Sequence, residues 1–77
     1  MTSDEVRQLL EAAPFVPFTL YLPSNKGYRI DHSDFALLSR GGRILVLSLD
    51  GDAFAHIDLM LATHLETHPA APQEAEH

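Results

Sequence analysis

The apolar residues of this chain come in short stretches separated by turn signals, which restricts it to a small fold built from short elements. A length of 77 residues is enough for one domain. We predict a single domain over residues 1–67. Residues 68–77 are rich in Pro, Ala and Glu and have no apolar periodicity, so we predict a disordered C-terminal tail there.

The first element that the sequence predicts is a helix over residues 2–13. Thr2 and Glu5 stand at the spacing of a capping box. One apolar stripe follows at helical spacing, formed by Val6, Leu9, Leu10 and Ala13. Pro14 ends the helix, and residues 14–18 form a stiff extended connector. We expect the two phenylalanines of this connector, Phe15 and Phe18, to anchor the helix to a sheet.

Short antiparallel strands are predicted after the connector, at residues 18–22, 28–31, 36–40, 43–49 and 53–57. The connecting turns contain Gly27, which we expect to supply a left-handed position, then Gly41-Gly42 and Asp50-Gly51. Residues 44–47 are apolar on both faces, as is typical of a central strand covered on both sides. Residues 58–66 fit either a second helix capped by Asp58 or one helical turn followed by a last strand.

These elements predict an α+β fold, with an N-terminal helix followed by a five- or six-stranded antiparallel meander. Short strands joined by tight turns tend to curl, so we expect a small barrel. The order of the elements is similar to that of SH3-like and Sm-like barrels. A fold of this kind does not by itself imply a function.

Several motifs resemble a family of short bacterial proteins that has no assigned function. The matching segments are Pro14-Phe15-Val16-Pro17-Phe18-Thr19, His32-Ser33-Asp34-Phe35, Gly42-Arg43, Asp50-Gly51, Ile57-Asp58-Leu59, Thr63 and Leu65-Glu66. The chain has Ser33 where family members often have proline, and its 24–27 turn is longer than their Asp-Gly-Arg. The resemblance covers about residues 5–66. It implies a compact fold and assigns no functional residue.

The composition narrows the compartment and the partners that we expect. The formal net charge is −6, which disfavours general binding to nucleic acid or to anionic membranes. No signal peptide is recognisable, and no apolar run approaches the ~20 residues of a membrane helix, so we predict a cytoplasmic protein. With no cysteine, a core this small has no disulfide to stabilise it. We therefore expect a homo-oligomer.

The candidate binding residues come from three local patterns. Four of the five basic residues lie within residues 26–43, namely Lys26, Arg29, Arg40 and Arg43. If Tyr21 and Arg29 share the outer face of the first hairpin, they form an aromatic–basic pair of the kind that stacks on bases. Cross-strand packing explains such a pair equally well. An imidazole and a carboxylate stand two residues apart in the 32–35 corner. The predicted binding residues are thus Tyr21, Arg29, His32, Asp34, Arg40 and Arg43.

The histidines at positions 64 and 68 would share one face of a helix and could hold a metal, but Pro69 argues against a helix there. We predict no metal site, no cofactor and no catalytic residue. The predicted function is a protein-interaction module that self-associates through an edge strand or through the surface of Phe15 and Phe18. The alternatives are an Sm-like RNA-binding protein that uses the basic cluster, and a hydrolase built on His32, Asp34 and His56.

Overall fold

The computed structural model describes residues 2–69, and these contain one α-helix, six strands and two short 3-10 helices. The helix α1 spans Ser3–Glu11. The strands are β1 Phe18–Tyr21, β2 Gly27–Ile30, β3 Ala36–Leu38, β4 Ile44–Ser48, β5 Phe54–Asp58 and β6 His64–Thr67. The 3-10 helices, Ser33–Phe35 and Leu59–Leu61, follow β2 and β5. The predicted α+β class is confirmed.

The helix begins with the predicted capping box. Thr2 Oγ1 accepts a hydrogen bond from the Glu5 N–H at 3.3 Å, and the Thr2 N–H donates to Glu5 Oε1 at 3.2 Å. The helix ends at Glu11 rather than at residue 13, and Ala12 is already extended. The residue before a proline disfavours the helical conformation, which excludes Ala13 from the helix.

The strands form two three-stranded antiparallel sheets. The order in the first sheet is β2-β1-β6, and the order in the second is β3-β4-β5. This pairing differs from a continuous meander, because β2 does not pair with β3 and β5 does not pair with β6. The two 3-10 helices lie at these breaks and carry the chain from one sheet to the other. Residues 58–66 therefore follow the second of the two predicted alternatives, a helical turn and then a strand.

One apolar core lies between the inner faces of the two sheets. Its fully or almost fully buried side chains are Val6, Phe18, Leu20, Ile30, Leu45, Leu47, Ile57, Leu59 and Ala62. Phe15 packs on Phe18 with a distance of 6.1 Å between ring centroids and lies against the core. Since Phe18 is completely buried, the surface of Phe15 and Phe18 that we expected to mediate association is not available.

Two of the predicted turns have a different geometry. The left-handed residue of the β1–β2 turn is Asn25, with φ of 65°, and not Gly27. Asparagine tolerates this conformation better than most residues. The β3–β4 loop is longer than Gly41-Gly42: the Ser39 N–H donates to the Ile44 carbonyl at 2.8 Å, which leaves residues 40–43 in the loop.

The end of the described chain is bonded to the first sheet. The backbone N–H of His68 donates to the Pro17 carbonyl at 2.7 Å, and its Nε2 lies 2.8 Å from Thr19 Oγ1. His68, which the sequence placed in the predicted tail, is thus hydrogen-bonded to the first sheet. The remainder of the predicted tail, residues 70–77, lies outside the described residues.

Candidate functional site

Tyr21 and Arg29 lie on the same outer face of the first sheet, but they are not directly opposite each other. The register pairs Tyr21 with Gly27 on one side and with His64 on the other, whereas Arg29 is opposite Thr19. Arg29 Nε donates to Asp31 Oδ1 at 2.7 Å, so this cation has a carboxylate partner on its own strand segment.

The ring of Tyr21 is already in contact with its neighbours. It stacks on His64 with 4.6 Å between ring centroids and 10° between the planes, and its hydroxyl donates to Glu66 Oε1 at 3.4 Å. A Cβ atom at Gly27 would lie 2.8 Å from Tyr21 Cε1, so the ring extends over this glycine. These contacts leave Tyr21 poorly placed to stack on a nucleic-acid base.

His32 and Asp34 do not form a pair in the described structure. The His32 ring meets Phe35 edge-on, with 5.4 Å between centroids and 79° between planes. Within residues 2–69, no hydrogen bond or ion pair joins the imidazole to the Asp34 carboxylate, and both residues are exposed. The corner is held by a backbone bond from the Phe35 N–H to the His32 carbonyl at 3.1 Å.

The basic residues are distributed over both sheets. Lys26 lies in the β1–β2 turn, with Nζ 5.3 Å from the centroid of the Tyr28 ring. Arg29 is on the first sheet, whereas Arg40 and Arg43 lie in the loop between β3 and β4 of the second sheet. Proximity in the sequence therefore did not place these four residues on one sheet, because the chain changes sheets at the 32–35 corner.

Arg43 forms the most extensive ion pair among the described residues. Its Nε lies 3.1 Å and 3.2 Å from the two Asp58 carboxylate oxygens, and its Nη2 lies 2.9 Å from Oδ2. The guanidinium, together with the Met60 N–H at 3.0 Å, lowers the pKa of the Asp58 carboxyl below its ordinary value. The same contact raises the pKa of Arg43. Asp58 therefore links the start of β4 to the end of β5.

The feature that sequence reasoning missed is the outer face of the second sheet. We use this name for the apolar side chains and the histidine that point away from the core, namely Leu37, Ile44, Val46, Phe54 and His56. Ser48 and Asp58 are at the margins of the same face. The register places Val46 between Leu37 and His56. Leu37 is 69% exposed and Phe54 is 60% exposed. Nothing in residues 2–69 covers this apolar face, although residues 44–47 have the pattern of a strand buried on both sides.

The free edge of β5 borders one of two open grooves. This groove has a volume of about 430 Å³ and is lined mainly by apolar atoms of Leu22, Pro23, Ile57 and Leu61 together with Ser24, His56 and Asp58. The other groove, of about 550 Å³, lies between the end of β2 and the β4–β5 turn. Arg29, Asp31 and Phe35 contribute to its lining, so one predicted binding residue does reach a concave surface.

Two further findings concern the described part of the chain as a whole. No group of three or more His, Asp or Glu side chains in residues 2–69 is arranged to hold a metal ion. His64 and His68 lie on and just after β6 rather than on a helix. Within the same residues, no helix has the length and apolar character needed to cross a membrane.

Comparison with known proteins does not assign the chain to a family. No protein-family model, no curated protein and no solved structure matches it significantly. The resemblance to short bacterial proteins therefore stays a prediction.

Proposed function

We propose that this chain is a small protein-interaction module, acting by binding rather than by catalysis, and that its docking surface is the outer face of the second sheet. The observation that carries the proposal is the apolar strand β4. Its inner residues Leu45 and Leu47 are buried, whereas Ile44 and Val46 are only half-buried because nothing in residues 2–69 covers their side of the sheet. Apolar faces of this kind on small proteins often mark protein-binding sites.

The proposed architecture is a small open barrel of the SH3-like kind. Three features support it. The chain passes from the first sheet to the second at one 3-10 helix and returns at the other, both inner faces share one core, and β6 pairs with β1 near the beginning of the chain. In such a barrel only one face of each sheet is covered from within, which leaves the outer face of the second sheet for a partner.

The RNA-binding alternative has less support from the geometry. Arg29 and Arg43 each have a carboxylate partner, and the four basic residues of the predicted cluster are divided between the two sheets. Phosphate binding depends on unneutralised cations that lie close together. The ring of Tyr21 stacks on His64 instead of standing free for a base.

The experiment that tests the proposal is quantitative affinity purification from the cells of origin, with Leu37→Ser compared against Phe35→Ser. Both substitutions remove an exposed apolar side chain, but only Leu37 belongs to the outer face of the second sheet. We expect a protein partner that is retained by wild type and Phe35→Ser and lost with Leu37→Ser, and that binds the purified chain directly in calorimetry.

Two results would count against this function. A partner retained equally by all three proteins would show that another surface binds it. Native mass spectrometry that finds RNA or nucleotide mass on the purified chain, removed by changing Arg40 and Arg43 to Glu, would instead support the RNA-binding alternative.

A further inference from the structure

The edge of β5 has unused hydrogen-bonding groups. Hydrogen-bonded and non-hydrogen-bonded pairs alternate along an antiparallel ladder. The bonds from the Leu49 N–H to Ala53 and from the Leu59 N–H to Arg43, both 2.8 Å, mark the odd-numbered residues of β5 as those bonded to β4. The backbone N–H and C=O groups of Phe54 and His56 therefore point away from β4, toward the free edge, as does the N–H of Asp58. The carbonyl of Asp58 begins the 3-10 helix Leu59–Leu61 instead.

This edge lacks the features that normally prevent strands from pairing. β5 has five residues, compared with four in β2, three in β3 and four in β6, which are the other edge strands. It contains no glycine, proline, lysine or arginine, and its residue Phe54 is largely exposed. A long edge strand with an exposed apolar side chain is a template for another strand.

We propose that β5 pairs with β5 of a second copy of this chain, in an antiparallel arrangement with His56 opposite His56. This inference rests on the proposed binding function and adds its assembly. The twofold axis at His56 places Phe54 opposite Asp58 of the second copy. His56 then exchanges both of its backbone hydrogen bonds with His56 of the second copy, and the Phe54 carbonyl accepts a hydrogen bond from the Asp58 N–H of the second copy.

The side chains at the two ends of β5 explain why the strand that pairs with this edge belongs to a second copy of the chain. Phe54 projects two residues before His56, and the groove beside Asp58 and Leu61 lies two residues after it. A twofold rotation at His56 exchanges these ends, so the Phe54 ring of each copy meets the groove of the other. Self-complementarity of this kind is the requirement for an isologous dimer. Leu61, which is 62% exposed, gains an aromatic neighbour.

The dimer would join the two second sheets into one continuous sheet and thereby double the outer face that is available to a partner protein. The contact itself is small. A Phe side chain buries roughly 150–250 Å² at most. The area that two rings and the paired strands bury is therefore smaller than that of a standard interface, which is about 800 Å² per partner. We therefore expect a reversible dimer that dissociates on dilution into the micromolar range.

The test uses the absence of native cysteine. Opposite residues of a hydrogen-bonded antiparallel pair have Cα atoms about 5.5 Å apart, which is within the range that a disulfide spans. We expect His56→Cys to form a covalent dimer rapidly under mild oxidation. His64→Cys is the matched control, since His64 is an exposed histidine on the edge strand β6. We expect it to cross-link at least tenfold more slowly.

A second measurement follows the dimer without a new cysteine. In sedimentation equilibrium we expect Phe54→Ser to weaken dimerisation at least tenfold, and Leu37→Ser to leave it unchanged because β3 is at the far side of the sheet. Equal cross-linking of the two cysteine variants, or a wild-type monomer at every concentration, would overturn the dimer. If the dimer is overturned in this way, loss of partner binding with Leu37→Ser would still support the proposed function. A failure of the dimer proposal can therefore be distinguished from a failure of the proposed function.

Discussion

At the residue scale, several side chains are constrained by contacts that only the folded chain creates. Gly27 lies beneath the ring of Tyr21, and Gly42 lies against the first turn of α1. Gly42 is also in the left-handed region, with φ of +80°. Its neighbour Gly41 has neither constraint, since a Cβ atom there would contact nothing within 4 Å. The two adjacent glycines therefore differ in how they tolerate a side chain.

We predict that Gly42→Ala destabilises the fold and that Gly41→Ala does not. A Cβ atom at Gly42 would lie 2.7 Å from Ser3 Cβ, and the left-handed conformation costs an L-residue about 1–2 kcal/mol. With the steric term added, we expect a loss of about 2–3 kcal/mol in the free energy of unfolding. Urea denaturation followed by circular dichroism measures it. The change at Gly41 should stay within about 0.5 kcal/mol.

A third variant separates the two causes of the Gly42 effect. Replacing Ser3 by glycine removes the atom that an added Cβ would meet, while the backbone conformation of residue 42 stays the same. In the Ser3→Gly background, Gly42→Ala should therefore cost less than in wild type. An equal cost in both backgrounds would show that the close approach to α1 does not contribute.

At the element scale, the ends of the strands are held by Asp58. Its carboxylate accepts a bond from the Met60 N–H, which begins the 3-10 helix after β5, and it binds Arg43 just before β4. The sequence predicted the capping role of Asp58. The ion pair with Arg43 depends on the β4–β5 register, which places Asp58 opposite Ile44, the neighbour of Arg43.

We predict that the contribution of Asp58 to stability depends on pH. The Arg43 guanidinium and the Met60 N–H hold the pKa of this carboxyl below its ordinary value of 3.8. A carboxyl whose pKa is lowered by folding stabilises the fold above the unfolded pKa and loses this effect as pH falls through the folded pKa. Asp58→Asn should therefore lower the urea midpoint at pH 7, and its difference from wild type should shrink as pH falls below about 3.8.

Asp34→Asn provides the control for this titration. Asp34 is an exposed carboxylate with no hydrogen bond to its side chain within residues 2–69. Its substitution should shift the urea midpoint little at pH 7. A wild-type advantage over Asp58→Asn that stays constant from pH 7 to pH 3 would contradict the role assigned to the ion pair.

At the scale of the whole molecule, the two sheets depend on a single core. Leu20 of β1 and Leu45 of β4 belong to the same buried cluster, to which α1 contributes Val6. The only tyrosines, Tyr21 and Tyr28, are both in the first sheet, and the chain has no tryptophan. Tyrosine fluorescence therefore reports on the first sheet, and circular dichroism reports on the entire fold.

We predict that a core substitution in the second sheet shifts the unfolding of the first by the same amount. Leu45→Ala should cost about 2–5 kcal/mol and Ile57→Val about 1 kcal/mol. The milder variant is included because a domain of this size has little stability to lose. Both probes should give one coincident transition in urea. If the urea midpoint from tyrosine fluorescence stays unchanged while the midpoint from circular dichroism falls, the two sheets unfold independently. Leu37→Ala is the control, because it shortens an exposed side chain of the second sheet rather than a core side chain.

The elements themselves were largely predictable from local sequence. The capping box of Thr2 and Glu5, the alternation in β1 and β5, and the Asp50-Gly51 turn are formed by neighbours in the chain. The faces of β5 were also predicted correctly, with Phe54 and His56 on one side and Ala55 and Ile57 on the other. Periodicity over a few residues records which side of a strand is apolar, because successive side chains alternate between faces.

The sequence alone therefore determined the α+β class, the helix and the approximate positions of the strands. Only the tertiary structure decided that β6 pairs with β1, that the cluster of basic residues is divided between two sheets, and that the outer face of the second sheet is left open. These features depend on which distant segments meet. The apolar pattern of residues 44–47 shows that both faces of β4 favour burial, but it does not show which of them this chain covers itself.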